Sequence, residues 1–194
     1  MVVSRSHTST FEKAIDTLIS GGIVIMPCDT IYGICGVVPV SESRIRELKE
    51  RDAEKPLIRL ISDLPMLAKV GREPEDRRLL SYWPGPLTIV VPGLGDDTVA
   101  VRIPADDFVL RVVKRSGPIY STSVNISGKP HLNRTSEIVE QFEDRVDLIV
   151  DGGDFSDRLA STVVDSTASP NRLIRQGACR LPESLFSQEG GRLS

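Results

Sequence analysis

The chain has 194 residues, three cysteines, two histidines and a formal net charge of -3. That length suits one sizeable core, and 40% hydrophobic with 26% charged residues is ordinary globular composition. No apolar run approaches the ~20 residues of a membrane helix, and residues 1–10 lack the apolar stretch of a signal peptide, so a cytoplasmic protein away from membranes is expected. Cys28, Cys35 and Cys179 cannot all pair, and their spacing fits neither a zinc ribbon nor a redox pair. His7 and His131 are too few for a His-rich metal centre, so no protein-held metal is expected. The weak negative charge disfavours a protein living on non-specific nucleic-acid binding. Arg44, Arg46, Lys49, Arg51, Lys55 and Arg59 nevertheless crowd one stretch, while 137–157 is acidic, which points to a local anion site.

Thr10 is placed to cap a helix whose apolar residues Phe11, Ala14, Ile15, Leu18 and Ile19 share a face, and Gly21 and Gly22 end it. Residues 23–26 read as a short buried strand, followed by a polar loop over 27–33. Ser41 caps a charged helix that turns Ile45 and Leu48 inward. A strand spans 57–61, and Asp63 with Pro65 opens a further helix. Residues 74–82 read as helical and stop at Trp83-Pro84-Gly85-Pro86, where two prolines forbid continuation. Strands over 87–91 and 98–103 are joined by a Gly/Asp turn. Asp106 and Asp107 open a helix through Lys114, before a strand over 119–123. An amphipathic helix spans 135–142, and 148–150, 162–164 and 173–175 read as strands. The tail after Phe186 is polar and frayed. The expected architecture is α/β: one domain over 1–194, core about 10–182, a twisted mixed sheet flanked by helices. Ligands in such sheets sit in loops at strand ends.

Neither the phosphate loop nor the dinucleotide fingerprint occurs, so a nucleotide would need another scaffold. Three stretches can carry chemistry. The loop 27–33 packs Asp29, Thr30, Tyr32 and Gly33 after a buried strand, and reads equally as a self-bonded turn or a binding loop. Lys49, Arg51 and Lys55 sit at a helix end and in the turn beyond it. They can complement the helix dipole or converge on a multiply charged ligand. The run 121–128, Ser-Thr-Ser-Val-Asn-Ile-Ser-Gly, offers hydroxyls and an amide to phosphate, ribose or carboxylate, although Asn125 also suits an ordinary turn.

In chain order these stretches resemble the motifs of the YrdC family, threonylcarbamoyl-adenylate synthases that serve tRNA modification. Pro27-Cys28-Asp29-Thr30-Ile31-Tyr32-Gly33 is similar to the family's Pro-Thr-(Asp/Glu)-Thr-x-Tyr-Gly. Lys49-Glu50-Arg51, Lys55-Pro56, Trp83-Pro84-Gly85-Pro86-Leu87-Thr88 and Val101-Arg102-Ile103-Pro104 follow. The 121–128 run, Ser161-Thr162-Val163-Val164-Asp165 and Arg175-Gln176-Gly177 complete the set, so the resemblance covers 21–177.

The resemblance implies threonine contacts at Thr30, Arg102, Ser121 and Ser161. It implies an ATP side made of Arg51, Lys55, Thr98, Ser123, Asn125, His131 and Arg175, with Lys49 between and Lys49 and Arg51 catalytic. It also implies ATP, L-threonine and bicarbonate as substrates, magnesium arriving with ATP, and a tRNA threonylcarbamoyl transferase as the receiver of the adenylate. Two departures stand out. Cys28 replaces the motif's first threonine, and Leu60 stands where some members have a histidine, so no threonine contact is assigned there. The alternatives are a module binding double-stranded RNA or tRNA, and a paralogue with the same pocket that adenylates another substrate.

Overall fold

The computed structural model describes residues 1–50, 56–155 and 157–187. Ten strands among them form one sheet, β1 (Val2–Ser4), β2 (Val24–Pro27), β3 (Tyr32–Val37), β4 (Ile58–Leu60), β5 (Leu87–Pro92), β6 (Thr98–Arg102), β7 (Ile119–Ser123), β8 (Leu148–Asp151), β9 (Thr162–Asp165) and β10 (Arg172–Arg175). Their order across the sheet is β1-β8-β2-β3-β7-β4-β6-β5-β9-β10. Four pairs are parallel (β1–β8, β8–β2, β4–β6, β5–β9) and the other five antiparallel, so the sheet is mixed, as expected. The helices are α1 (Thr10–Ile19), α2 (Glu42–Lys49), α3 (Leu64–Leu67), α4 (Asp107–Ser116) and α5 (Thr135–Phe142). No helix of the described residues is long and apolar enough to cross a membrane.

Period-two alternation sorts the side chains of β2 and β8 onto two faces. On one face Val24, Met26, Leu148 and Val150 pack with Ala14 and Leu18 of α1 and with Val109, Val112 and Val113 of α4. On the other, Ile25 and Ile149 pack with Ile45 and Leu48 of α2 and with Ile138 and Phe142 of α5. Each such fully buried aliphatic or aromatic side chain contributes about 1.5–3 kcal/mol. The second face stays covered farther along the sheet, where Met66, Leu67 and Val70 join Ile89, Val91, Val99 and Val101 in the core. The first face is not covered throughout: beyond β3 a cavity opens over part of it.

Several local expectations need correction. Thr10 lies inside α1 rather than capping it, and its hydroxyl donates to the Ser4 carbonyl at 2.6 Å. Ser41 makes no side-chain cap either; its hydroxyl turns to the Gly21 carbonyl at 3.4 Å. The helix expected over 74–82 is a 3-10 helix confined to Arg77–Tyr82, with Asp76 accepting from the Arg78 backbone N–H. Asp106, as expected, caps α4 by accepting from the Val109 N–H at 3.0 Å. Strand β3 begins inside the stretch expected to be loop, and strand β1 went unread. Two glycines weaken β3's strand propensity, yet the sheet requires them. A Cβ on Gly33 would lie 2.7 Å from Ser121 Oγ, and one on Gly36 would collide with Ser41.

Candidate active site

Register explains how the cavity is built. Gly33 pairs with Ser123, Cys35 with Ser121, Ser121 with Ile58, Ile58 with Ala100, and Ala100 with Val90. Paired residues share a face, so the open part of this face carries Gly33, Ser121 and Ala100 beside Ile58 and Val90, where the covered half carries Val, Met and Leu. The resulting cavity has a volume of about 320 Å³, with Ile58, Val90, Ala100 and Val163 as apolar floor. The loop between β2 and β3 and the start of β9 form its walls, bringing Cys28, Thr30 and Ser161 to it.

Arg102, at the end of β6, is only 4% exposed. Its Nε donates to the Gly85 carbonyl at 2.9 Å, Nη1 to Thr30 Oγ1 at 2.9 Å, and Nη2 to Asp29 Oδ1 at 2.5 Å. Asp29 is itself clamped. Oδ1 also accepts from the Cys28 thiol at 2.9 Å, and Oδ2 from the Ala105 backbone N–H at 3.1 Å. Burial, with lesser help from Asp29, pushes the Cys28 thiol well above its usual range despite the opposing Arg102 charge. The thiol is therefore a donor and no nucleophile. Burial likewise raises Cys35 to about 12, and all three cysteines are free.

Arg175, the last residue of β10, reaches the same cavity from its exposed rim. Its Nη2 donates to the Ser161 carbonyl at 2.8 Å and lies 3.3 Å from the Ser161 hydroxyl, which in turn bonds Thr88 Oγ1 at 2.8 Å. Partial desolvation, then the Arg102 charge, lowers the Arg175 pKa from its ordinary value. The two guanidiniums thus face one space. At the start of β3, the Tyr32 hydroxyl donates to the Gly153 carbonyl and accepts from the Gly152 N–H, each at 2.8 Å, tying the turn after β8 to β3.

Of the residues singled out in the sequence, the cavity gathers Thr30, Arg102, Ser121, Ser123, Ser161 and Arg175. Four others stand apart. Lys49 is 1% exposed and does not line the cavity. Its Nζ donates to the Ser123 carbonyl and to the carbonyl and side-chain oxygens of Asn125, at 2.5, 2.8 and 2.8 Å. Lys49 therefore shapes the loop after β7 from beneath, where a contact with reacting atoms had been expected. Asn125 belongs to the same device, accepting from the Ser123 hydroxyl at 2.7 Å and donating to the Lys129 carbonyl at 2.7 Å. Thr98 shares the face of Ala100 and Arg102 but stands at the exposed outer end of β6, and His131 is exposed on the 124–134 loop. Arg51 and Lys55 lie outside the described residues. The sequence reading assigned no part to Asp29, although its place beside Thr30 in a motif facing an arginine was a usable signal. The apolar floor was missed because its four residues come from four strands.

Three comparisons bear on this geometry. A family model named for Sua5, YciO and YrdC, and described as "Telomere recombination", matches residues 16–177. A protein of Pyrococcus abyssi named "Threonylcarbamoyl-AMP synthase" is 38% identical over 179 residues, which is 84% of this chain and 52% of that protein. An Enterobacter sp. protein of the same name is 30% identical over 87% of this chain and 96% of its own length. The crystal structure of P. abyssi Sua5 complexed with L-threonine superposes with a TM-score of 0.84 at 33% identity, covering 91% of this chain and 57% of that one. The chain thus spans about half the length of the first curated relatives it matches.

Proposed function

The chain belongs to the Sua5, YciO and YrdC family, and on that premise we propose that it is an L-threonylcarbamoyladenylate synthase. It makes threonylcarbamoyl-AMP and pyrophosphate from L-threonine, bicarbonate and ATP. The observation that carries the reading is the pair of arginines, Arg102 and Arg175, reaching one cavity beside Thr30 and Ser161.

A guanidinium has five N–H donors, and the contacts of Arg102 to Gly85, Thr30 and Asp29 leave room for a substrate carboxylate. L-threonine sets its carboxylate there, with its hydroxyl and amine toward the hydroxyls of Thr30, Ser121 and Ser161. The amine condenses with bicarbonate to a carbamate, releasing water, and a carbamate oxygen attacks the α-phosphorus of ATP. Pyrophosphate leaves along the Arg175 side, with Arg51 and Lys55 as further cations of that side and Ser123 as hydroxyl donor. No protein nucleophile is needed. The chain's residues orient the reactants, keep water from a labile carbamate and neutralise developing charge. Magnesium enters with the nucleotide phosphates, whose charge it neutralises; among the described residues no His, Cys, Asp and Glu cluster could hold a metal of its own. The adenylate passes to a tRNA threonylcarbamoyl transferase in the cytoplasm.

The test incubates the protein with ATP, labelled bicarbonate and one amino acid at a time. Pyrophosphate and a labelled adenylate should appear only with threonine and bicarbonate together. Equal turnover with serine or alanine assigns another substrate. No turnover under any condition, with RNA affinity falling steeply with salt, replaces the enzyme by an RNA-binding module.

A further inference from the structure

The two arginines of the cavity differ in one respect. Arg102 is paired to a carboxylate, the Asp29 side chain at 2.5 Å, in a nearly dry environment with side-chain exposures of 5% and 11%. Among the described residues Arg175 has no acidic partner; it rests on the carbonyl and hydroxyl of Ser161. Asp29 is held in place by more than its partner, because the Ala105 N–H and the Cys28 thiol fix the same carboxylate.

We propose that Asp29 is the specificity-determining residue that keeps polyanions out of the Arg102 subsite and so reserves it for a monocarboxylate. The proposal rests on the reading that the amino-acid carboxylate goes to Arg102. A monocarboxylate loses little by meeting a guanidinium whose charge is already balanced, because the directional N–H donors remain. A triphosphate or pyrophosphate depends on net positive charge and is repelled by the carboxylate behind Arg102, so it is drawn to Arg175 instead. Arg102 is only 4% exposed, so solvent and salt screen this difference little. Without Asp29 the cavity would offer two unbalanced guanidiniums, and product pyrophosphate would occupy the place of the amino acid. Asp29 does not line the cavity; it acts through Arg102, and its effect is on which anion binds where.

The experiment is calorimetric titration of the full chain with pyrophosphate, with and without saturating L-threonine. In the parent, threonine leaves pyrophosphate binding unweakened. In Asp29→Asn, pyrophosphate binds about tenfold tighter and threonine now competes with it, while Asp29→Glu, which keeps the charge, restores the parent pattern. Unchanged pyrophosphate affinity without competition in Asp29→Asn overturns the proposal, as does a Glu variant that behaves like Asn. Should Asp29→Asn not fold, Arg175→Gln in the parent decides. Pyrophosphate binding should fall about tenfold, and any remainder that threonine displaces overturns the proposal. A parent that binds pyrophosphate but no threonine removes the substrate reading alone; acetate then serves as the competing monocarboxylate, and the same comparisons decide the partition.

Discussion

The sheet has two unlike halves on one of its faces. Over β8 and β2 that face carries Val24, Met26, Leu148 and Val150 and is sealed by α1 and α4. Over β7, β4, β6 and β5 the same face, in unbroken register, carries Ser121, Ile58, Ala100 and Val90 and opens into the cavity. The backbone geometry does not change between them; the side chains do. Over β8 and β2 large side chains fill the space up to the helices, whereas Gly33, Ser121 and Ala100 reach less far from the sheet and leave a cavity floored by Ile58 and Val90. Stability and ligand binding are therefore expected to separate along the sheet.

The largest stability effect should come from the sealed half. Leu148→Ala, at a buried position under α1 and α4, should cost about 2–5 kcal/mol by urea unfolding, with turnover per folded molecule unchanged. In the open half the order should invert. Arg175→Ala opens no core space, so its unfolding midpoint should barely move, while loss of a charge-assisted contact of about 1.5–3 kcal/mol cuts pyrophosphate release at least tenfold. A variant that melts early but keeps its activity per folded molecule would make Arg175 structural. Gly33→Ala lies on the border between the halves. Its Cβ would press within 2.7 Å of Ser121 Oγ, so both readouts should worsen, stability by about 1–3 kcal/mol.

The smallest effect concerns acid. The Tyr120 hydroxyl donates to Glu42 at 2.7 Å, and that bond, with Arg46, holds the Glu42 carboxyl below its usual range. A depressed folded-state pKa gives stability that is complete above the unfolded value, about 4.3, and is lost as pH falls through the folded one. Glu42→Gln should therefore flatten the acid limb of a stability profile and leave turnover untouched. An identical acid limb in parent and variant would place the linkage elsewhere.

Much of this was legible beforehand. Strand β7 and helix α5 fall on the expected residues 119–123 and 135–142, because their hydrophobic periodicity and flanking signals agree. β3 was hidden because Gly33 and Gly36 answer to Ser121 of β7 and to Ser41 just before α2, a tertiary demand that local propensity cannot express. In the site, the motifs named the residues that converge, but not what each one touches. Lys49 reads as a helix-end cation that complements the dipole or meets a charged ligand, yet the fold buries it against Ser123 and Asn125. Asp29 reads as a turn former, and only the arrival of β6 makes it the partner of a buried arginine.

The account turns on two ligands sharing the open half at once, threonine at Arg102 and nucleotide phosphates at Arg175. Titrating threonine by calorimetry with and without a saturating non-hydrolysable ATP analogue tests that directly. Where each ligand orders part of the loops that the other needs, the analogue should tighten threonine binding, with a coupling of about 1–3 kcal/mol, and threonine should tighten the analogue by the same factor. Arg102→Leu should abolish the threonine signal and keep most of the analogue's affinity. Threonine affinity that is unchanged by the analogue, or threonine displaced by it, would contradict the account.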